Sequence, residues 1–437
     1  MPGPGRHRKE LELIYDWNEI GGKIRPFVPE VELLDETLRE GLQNPSVRDP
    51  KVEEKLALVE LMAQLGIHWV NLGLPASSQR AFDDCLTLCR EITARRLKIQ
   101  LACAGRTMEG DIAPIIELSQ RAGVPIAVYA FVGSSPIRAL AEEWDLSLIR
   151  RYSAEAIDLG VRASLPVTFV TEDTSRSRPE VLAELFQLAV DHGASRLCLC
   201  DTVGHATPDG VKNLIQFTRS LVASMGAEVG IDWHGHNDRG LALANALYAL
   251  KYGADRVHGT ALGLGERVGN APMELLALNL KLLGVLGEDQ DLTHLRDYCL
   301  TASHAFGWEI PINYPLIGRD AFRTATGVHA AAIRKAQAKG RAWLADRIYS
   351  GVPAGMIGRT QEICIGHMSG ASNVVFWLQS RGIEPEEGLV RRILAHAKAS
   401  HTILDDEQVL ELVRGSHPAA GRAPGAPREP YDRRETR

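Results

Sequence analysis

The stretch "DETLREGLQN" places four ionisable side chains, Asp35, Glu36, Arg39 and Glu40, within six positions at the end of the apolar run "VELL". A surface loop can carry such charge for solubility, and a catalytic site needs it for chemistry, so other segments must decide. Further along, "HGHND" sets His234 and His236 two residues apart. On a strand, positions i and i+2 share a face, so both imidazoles can meet one ion. Glu40 or Asp35 offers a third ligand. Two neutral imidazoles and a carboxylate leave open positions on an octahedral divalent ion, which a bidentate oxygen substrate such as a 2-oxo acid would fill. Arg39, next to Glu40, reads either as a structural salt-bridge partner or as a fixed cation stabilising a developing alkoxide or enolate. The segment "GLGERVGN" (263–270) lacks the G-K-[ST] ending of a phosphate loop and opens no βαβ unit. Its glycines instead let the backbone turn tightly, with Glu266 and Asn270 facing the ligand.

These residues need elements to hold them. Short β-type runs recur at 31–35, 68–74, 98–104, 126–132, 165–171, 196–201, 229–234 and 255–262. Between them lie helical patterns such as 51–66 and 178–193, in which apolar residues recur three to four apart and a glycine closes the pattern. Eight strands alternating with helices over roughly 250 residues predict a (β/α)8 TIM barrel with nearly continuously apolar strands. The polar segments "DETLREG", "TEDTSR", "DTVG", "HGHND" and "GLGERVGN" all fall at strand C-terminal ends, the face on which such barrels build active sites. After about residue 285 the rhythm gives way to helices, with a closing helical pair in "RRILAHAKAS" and "DDEQVLELVRG". The expected domains are an N-terminal extension (1–29), a catalytic barrel (30–285), a smaller, mainly helical C-terminal region (286–415) and a disordered tail rich in Pro, Gly and charge (416–437).

The bulk composition excludes several classes. The chain has 437 residues, 45% hydrophobic and 24% charged, with a net charge of -6. A mildly acidic chain gives no electrostatic reason to expect nucleic acid or an anionic membrane surface. No apolar run approaches the roughly 18 residues of a membrane span, and the basic start "MPGPGRHRKE" has no apolar core behind it, so no secretory signal is expected. Seven scattered cysteines, an odd number, read as reduced thiols packed as small hydrophobes, which together with the rest points to the cytoplasm.

The motifs resemble the DRE-TIM metallolyase superfamily, and within it the Claisen-condensing branch of 2-isopropylmalate, homocitrate and citramalate synthases. The D-x-T-L-R-[DE]-G hallmark is matched by Asp35, Thr37, Leu38, Arg39, Glu40 and Gly41. H-x-H-N-D is matched by His234, His236, Asn237 and Asp238, and G-x-G-E-R-x-G-N by Gly263 to Asn270. The resemblance implies an acyltransferase that condenses acetyl-CoA with a 2-oxo acid, most nearly a 2-isopropylmalate synthase. Glu40, His234 and His236 would hold a divalent metal (Mg, Mn, Co or Zn), with Asn270 beside it. Arg39 would stabilise the enolate or alkoxide, and Thr202 and Glu172 would lie against the 2-oxo acid. "TGVHAAAI" resembles the family's G-[IV]-H element and implies proton transfer for His329, with Tyr349 in "DRIYSGVP" matching a tyrosine that often follows. In the family that region reaches a neighbouring subunit's site, which implies a homodimer.

The chain also departs from the pattern. Strand 2 usually ends in a stretch like I-E-x-G, and here it is "VNLGLP", so Asn71 takes the carboxylate's place against the substrate. "GLQN" also occurs in 3-hydroxy-3-methylglutaryl-CoA lyases, a retro-Claisen alternative, but those carry a cysteine in the strand 8 loop where this chain has "GLGERVGN". A non-catalytic barrel would have no need to keep Arg39, Glu40, His234 and His236 together. Arg138, in "SSPIRAL", is similar in place to an arginine of homocitrate synthases and suggests a dicarboxylic substrate, whereas the apolar "NLGLPASS" suggests a branched aliphatic one. The chain stops short of the leucine-sensing domain of long 2-isopropylmalate synthases, so inhibition by leucine at a distal site is not expected.

Overall fold

The computed structural model describes residues 13–19, 30–287 and 290–415. Most of the expected N-terminal extension and the expected tail at 416–437 lie outside the described residues. The chain divides into two units. The first takes in the described residues up to Ala321 together with Met356–Gly358, and the second takes in Phe322–Gly355 and the described residues from Arg359 onward.

The first unit is a closed barrel of eight parallel strands in chain order. They are β1 (Glu32–Asp35), β2 (Trp69–Asn71), β3 (Gln100–Arg106), β4 (Ala127–Gly133), β5 (Val167–Glu172), β6 (Arg196–Asp201), β7 (Gly230–Gly235) and β8 (Arg256–Gly259). Helices α1 (Val52–Gln64), α2 (Gln79–Ala94), α3 (Glu109–Ala122), α4 (Pro136–Glu142), α5 (Leu146–Arg162), α6 (Pro179–Asp191), α7 (Pro208–Ser224), α8 (Ala242–Tyr252) and α9 (Met273–Leu282) connect or follow the strands. The local reasons are ordinary ones. In α6, Leu182, Leu185, Phe186 and Ala189 are buried, the i, i+3, i+4, i+7 stripe of a helix packed on one side. Before α7, the Thr207 hydroxyl accepts from the Gly210 N–H and Pro208 opens the first turn, where its missing N–H is harmless. The strands agree with the sequence reading to within a few residues, and β2 and β8 each end three residues sooner than expected. After β8, Ala261–Gly263 turns into a short 3-10 segment instead of extending the strand, and the Ala261 N–H donates to Thr37 Oγ1 at 2.8 Å.

In the barrel interior Leu34, Ala102, Ala104, Tyr129, Val170, Cys198 and Cys200 belong to one buried cluster. All seven cysteines are free and buried. The interior is nevertheless not the uninterrupted apolar packing that the sequence suggests. Asp232, fully buried, accepts from Arg196 Nε (2.6 Å) and Tyr129 Oη (2.9 Å), and Arg256 binds Glu32 while stacking over the Trp69 ring at 4.2 Å. Burial alone would raise the Asp232 carboxyl, but the two arginines outweigh it and hold it well below the usual range.

The first unit runs past the expected boundary at 285 because α10 (Leu295–Phe306) packs on α1 and supplies part of the barrel's rim. Its Tyr298 hydroxyl donates to Asp35 Oδ2. The second unit holds a short parallel pair, β9 (Arg323–Thr324) and β10 (Glu362–Ile363), with α11 (Gly327–Ala338), α12 (Ala342–Ala345), α13 (Ala371–Gln379), α14 (Glu387–Ala399) and α15 (Asp406–Arg414). Val374, Trp377, Leu378, Ile393 and Val409 form a core that joins its last three helices, including the expected closing pair. No helix among the described residues is long and apolar enough to cross a membrane.

Two buried carboxyls behind the rim make stability pH-dependent. Burial pushes Asp35 up to about 6 and Glu274 up to about 7, although the bonds that Glu274 accepts from Tyr314 and the Leu262 N–H pull the other way. A raised carboxyl binds its proton more tightly in the folded state, so its stabilising contribution is present at low pH. For Glu274 it is lost as pH rises from the ordinary value of 4.5 through about 7. Glu274→Gln removes the titration. The stability of wild type relative to this variant is expected to fall by about 3 kcal/mol between pH 4.5 and 8, measured by denaturant unfolding across pH. A pH-independent gap would mean that Glu274 is not the titrating group.

Candidate active site

The rim of the barrel is assembled from the loop after β1. The Glu36 carbonyl accepts from the N–H groups of Arg39 (3.1 Å), Glu40 (2.7 Å) and Gly41 (3.2 Å), which winds the chain into a tight turn. Asp35 Oδ1 accepts from the Thr37 N–H at 2.8 Å, and its other oxygen takes the Tyr298 hydroxyl. That carboxylate is fully engaged in holding the turn, which leaves Glu40 as the carboxylate of this loop that faces both His234 and His236.

His234 and His236 point inward from the end of β7 with their Nε2 atoms 3.3 Å apart. Glu40 Oε1 is 3.5 Å from His236 Nε2, and Glu40 Oε2 is 4.0 Å from His234 Nε2. Burial, helped by the neighbouring His236 and Arg39, holds His234 well below the ordinary imidazole value, and burial lowers His236 as well. For Glu40, burial raises the carboxyl, but Arg39 and then His236 outweigh it and keep it ionised below its ordinary value. Two neutral imidazoles and one carboxylate are therefore in the protonation states a divalent cation requires. Two Nε2 atoms converging at that distance beside a carboxylate are an arrangement a shared cation satisfies. Asn270 is brought in by a backbone bridge to His236, its Nδ2 donates to the Leu264 carbonyl at 3.3 Å, and its side chain helps to hold the Glu40 carboxyl low. Its buried Oδ1 has no hydrogen-bond partner among the described residues, so this chain's donors fit a hard or borderline divalent ion.

The glycines of the β8 loop make this approach possible. Gly265 adopts φ +158°, and a Cβ there would lie 2.1 Å from Asn270 Nδ2. Gly269, at φ +84°, would place a Cβ 1.8 Å from the Gly263 carbonyl oxygen. The loop folds back on itself, and the Glu266 backbone also helps to hold the Glu40 carboxyl low.

A cavity of about 200 Å3 opens beside these groups. Eight of the residues singled out from the sequence line it: Arg39, Glu40, Asn71, Glu172, Thr202, His234, His236 and Glu266. Arg39 bridges two carboxylates, Nε to Glu36 at 2.6 Å and Nη1 to Glu40 at 2.5 Å. The Thr202 hydroxyl accepts from the Asp173 N–H at 2.8 Å. Burial raises the Glu172 carboxyl, with Arg138 opposing. Of the apolar "NLGLPASS" stretch, only Asn71 reaches this cavity. Arg138 instead lines a neighbouring cavity. His329 and Tyr349 lie in the second unit, where their rings stack with centroids 3.9 Å apart.

Sequence reasoning gave no role to two residues that line the cavity, Glu36 and His258. Glu36 accepts from Asn71 Nδ2 at 3.4 Å and faces His258 Nδ1 at 3.4 Å, while His258 Nε2 is 3.3 Å from Asp232. With His234 they form a second cluster able to reach a metal. Its donors are more committed, since Asp232 engages His258 and both Arg39 and Asn71 engage Glu36. The signal was present in "DRVHGTAL", where His258 stands two residues after the inward-facing Arg256 and so shares its face.

The HMGL-like family model matches residues 30–299. A homocitrate synthase of Methanopyrus kandleri is 29% identical over 90% of this chain and 95% of its own length. A 2-isopropylmalate synthase of Methylacidiphilum infernorum is 29% identical over 88% of this chain and 74% of its own. Among solved structures, hydroxymethylglutaryl-CoA lyase from Pseudomonas aeruginosa aligns with a TM-score of 0.52 at 20% identity, covering 63% of this chain and 93% of the lyase. The carboxyl transferase domain of Rhizobium etli pyruvate carboxylase aligns with a TM-score of 0.51 at 14% identity, covering 84% and 63%. At these identities the two structures share the fold.

Proposed function

The chain belongs to the HMGL-like family, in the Claisen-condensing branch of the DRE-TIM metallolyases, and on that premise we propose that it condenses acetyl-CoA with a 2-oxo acid. The product is an alkylmalate-type hydroxy diacid, as for a 2-isopropylmalate synthase, with homocitrate and citramalate synthases as the neighbouring chemistries. The observation that carries this reading is the convergence of His234 Nε2, His236 Nε2 and Glu40 beside a guanidinium, in one cavity able to hold a small substrate.

Glu40, His234 and His236, with Asn270, are the residues that would hold a divalent ion (Mg, Mn, Co or Zn), which supplies Lewis-acid polarisation of the 2-oxo group. The reaction breaks a methyl C–H bond of acetyl-CoA, forms a C–C bond to the 2-oxo carbon and protonates the resulting alkoxide. Water then hydrolyses the thioester and releases CoA. Arg39 presents a fixed, always charged donor to the oxyanion that develops. Thr202, Glu172 and Asn71 orient the 2-oxo acid. Glu266, beside the same cavity, and His329 and Tyr349, acting from the second unit of a partner subunit in a homodimer, are the candidates for proton transfer.

The test is CoA release, followed with a thiol reagent, from acetyl-CoA and a panel of 2-oxo acids. Release that depends on both the metal and a 2-oxo acid is expected. Cleavage of 3-hydroxy-3-methylglutaryl-CoA without condensation of any 2-oxo acid would assign the chain to the retro-Claisen chemistry instead.

A further inference from the structure

A second cavity, of about 190 Å3, lies against the first, and Phe131 and Glu172 line both. It is built from the ends of β3 and β4 and from α4 and α5. Its walls are largely apolar and aromatic, with Met108, Phe131, Trp144, Leu148 and Tyr152 among them. Nothing in the proposed chemistry uses it. Phe131 and Glu172 border both this space and the cavity holding Arg39, Glu40 and the two histidines, so the second cavity is next to the place where a reacting carbon would sit.

The charges there favour one class of side chain. Two arginines line the second cavity, and each has a carboxylate beside it, although the buried Arg138 Nε has no hydrogen-bond partner among the described residues. Arg106 grips Asp111 with Nε (2.8 Å) and Nη2 (2.9 Å). Arg138 Nη1 lies 3.0 Å from Glu142, its Nε is 3.7 Å from Glu172, and its guanidinium carbon is 5.9 Å from the Trp144 ring. A second carboxylate on the substrate would have to compete with Glu142 for Arg138 and pass Glu172, where like charge repels it. A neutral ring meets neither obstacle. A cavity of about 150 Å3 lined by apolar side chains is already enough to hold a benzene ring.

We propose that this second cavity is the side-chain subsite for the 2-oxo acid and that it selects a bulky neutral side chain, aryl or extended alkyl, over a short or an acidic one. The inference rests on the condensing reading above and narrows its substrate. Arg138 then acts as a wall of the subsite, held by Glu142, and does not receive a distal carboxylate.

The experiment compares kcat/KM for 3-phenylpyruvate, 4-methyl-2-oxopentanoate, pyruvate and 2-oxoglutarate with acetyl-CoA. The first two should exceed the last two by about tenfold or more, since each buried methylene discriminates by roughly 10–200-fold. Two variants probe the subsite in opposite directions: Leu148→Trp fills it and Trp144→Ala widens it. Leu148→Trp should lower kcat/KM for phenylpyruvate at least tenfold while leaving pyruvate within about threefold, and Trp144→Ala should change the phenylpyruvate-to-pyruvate ratio without a matching change for pyruvate. If Leu148→Trp fails to fold, the Trp144→Ala ratio decides alone. A preference for 2-oxoglutarate or pyruvate, or parallel changes on all substrates, overturns the subsite and leaves the condensing reading intact. Absence of CoA release across the whole panel overturns both.

Discussion

An enzyme carrying His236→Ala turns over no substrate in metal-depleted buffer and regains nothing when Mg, Mn, Co or Zn is added, whereas chelated wild type recovers part of its rate. The expectation follows from the geometry, because His236 Nε2 is the atom nearest both the other imidazole, at 3.3 Å, and Glu40, at 3.5 Å. Losing a partner that merely orients a ligand typically costs 10–100-fold in metal affinity or activity, and losing a ligand should cost more. Glu40→Gln should behave in the same way. Asp35→Asn should keep its metal, since that carboxylate is spent on Thr37 and Tyr298. Elemental analysis of each variant alongside its kinetics separates the cases. Full activity of His236→Ala in metal-free buffer, or loss of metal from Asp35→Asn in place of Glu40→Gln, would refute this ligand set.

That contrast shows where reading the chain reaches its limit. Asp35 and Glu40 both stand at the end of one strand, and spacing alone leaves either as a ligand. The choice is made by Tyr298, more than 250 residues later in the chain, whose hydroxyl takes up Asp35. The barrel itself was legible because its signal is local: apolar runs of strand length, helical stripes between them, and polar residues at strand ends. The histidine pair was legible for the same reason, since a two-residue spacing on a strand fixes a face. Glu36, His258 and Asp232 were not. Glu36 stands unmarked among the other charges of its loop, His258 and Asp232 are polar residues in otherwise apolar runs, and what each does depends on side chains brought across the barrel from other strands. Arg138 is a different case. Its position in "SSPIRAL" suggested a substrate carboxylate, and the structure sets it on the wall of the neighbouring cavity with Glu142 and Glu172 beside it.

Arg39→Lys keeps the fold and the metal and lowers kcat by on the order of a hundredfold or more, the range typical of removing one preorganised oxyanion donor. The charge crowded into "DETLREGLQN" has its physical reason here. Arg39 spans two carboxylates at once, with Nε on Glu36 and Nη1 on Glu40, and is itself held in place by them at the cavity wall. Burial would weaken its protonation, but Glu36 and then Glu40 more than offset that and keep it charged. Enolising a thioester methyl near neutral pH demands such a cation, since the carbon acid is very weak. A lysine is a compact point charge on a flexible stem. It can satisfy one carboxylate but cannot bridge both while presenting further N–H groups to the reacting oxygen. If the interaction is made mainly in the transition state, KM for the 2-oxo acid changes less than kcat. Steady-state kinetics with metal content determined on the same sample, and a melting curve as the check on folding, make the comparison. A near-normal kcat in a folded, metal-loaded Arg39→Lys enzyme would reduce Arg39 to a structural link between Glu36 and Glu40, and the oxyanion would need another donor in the cavity.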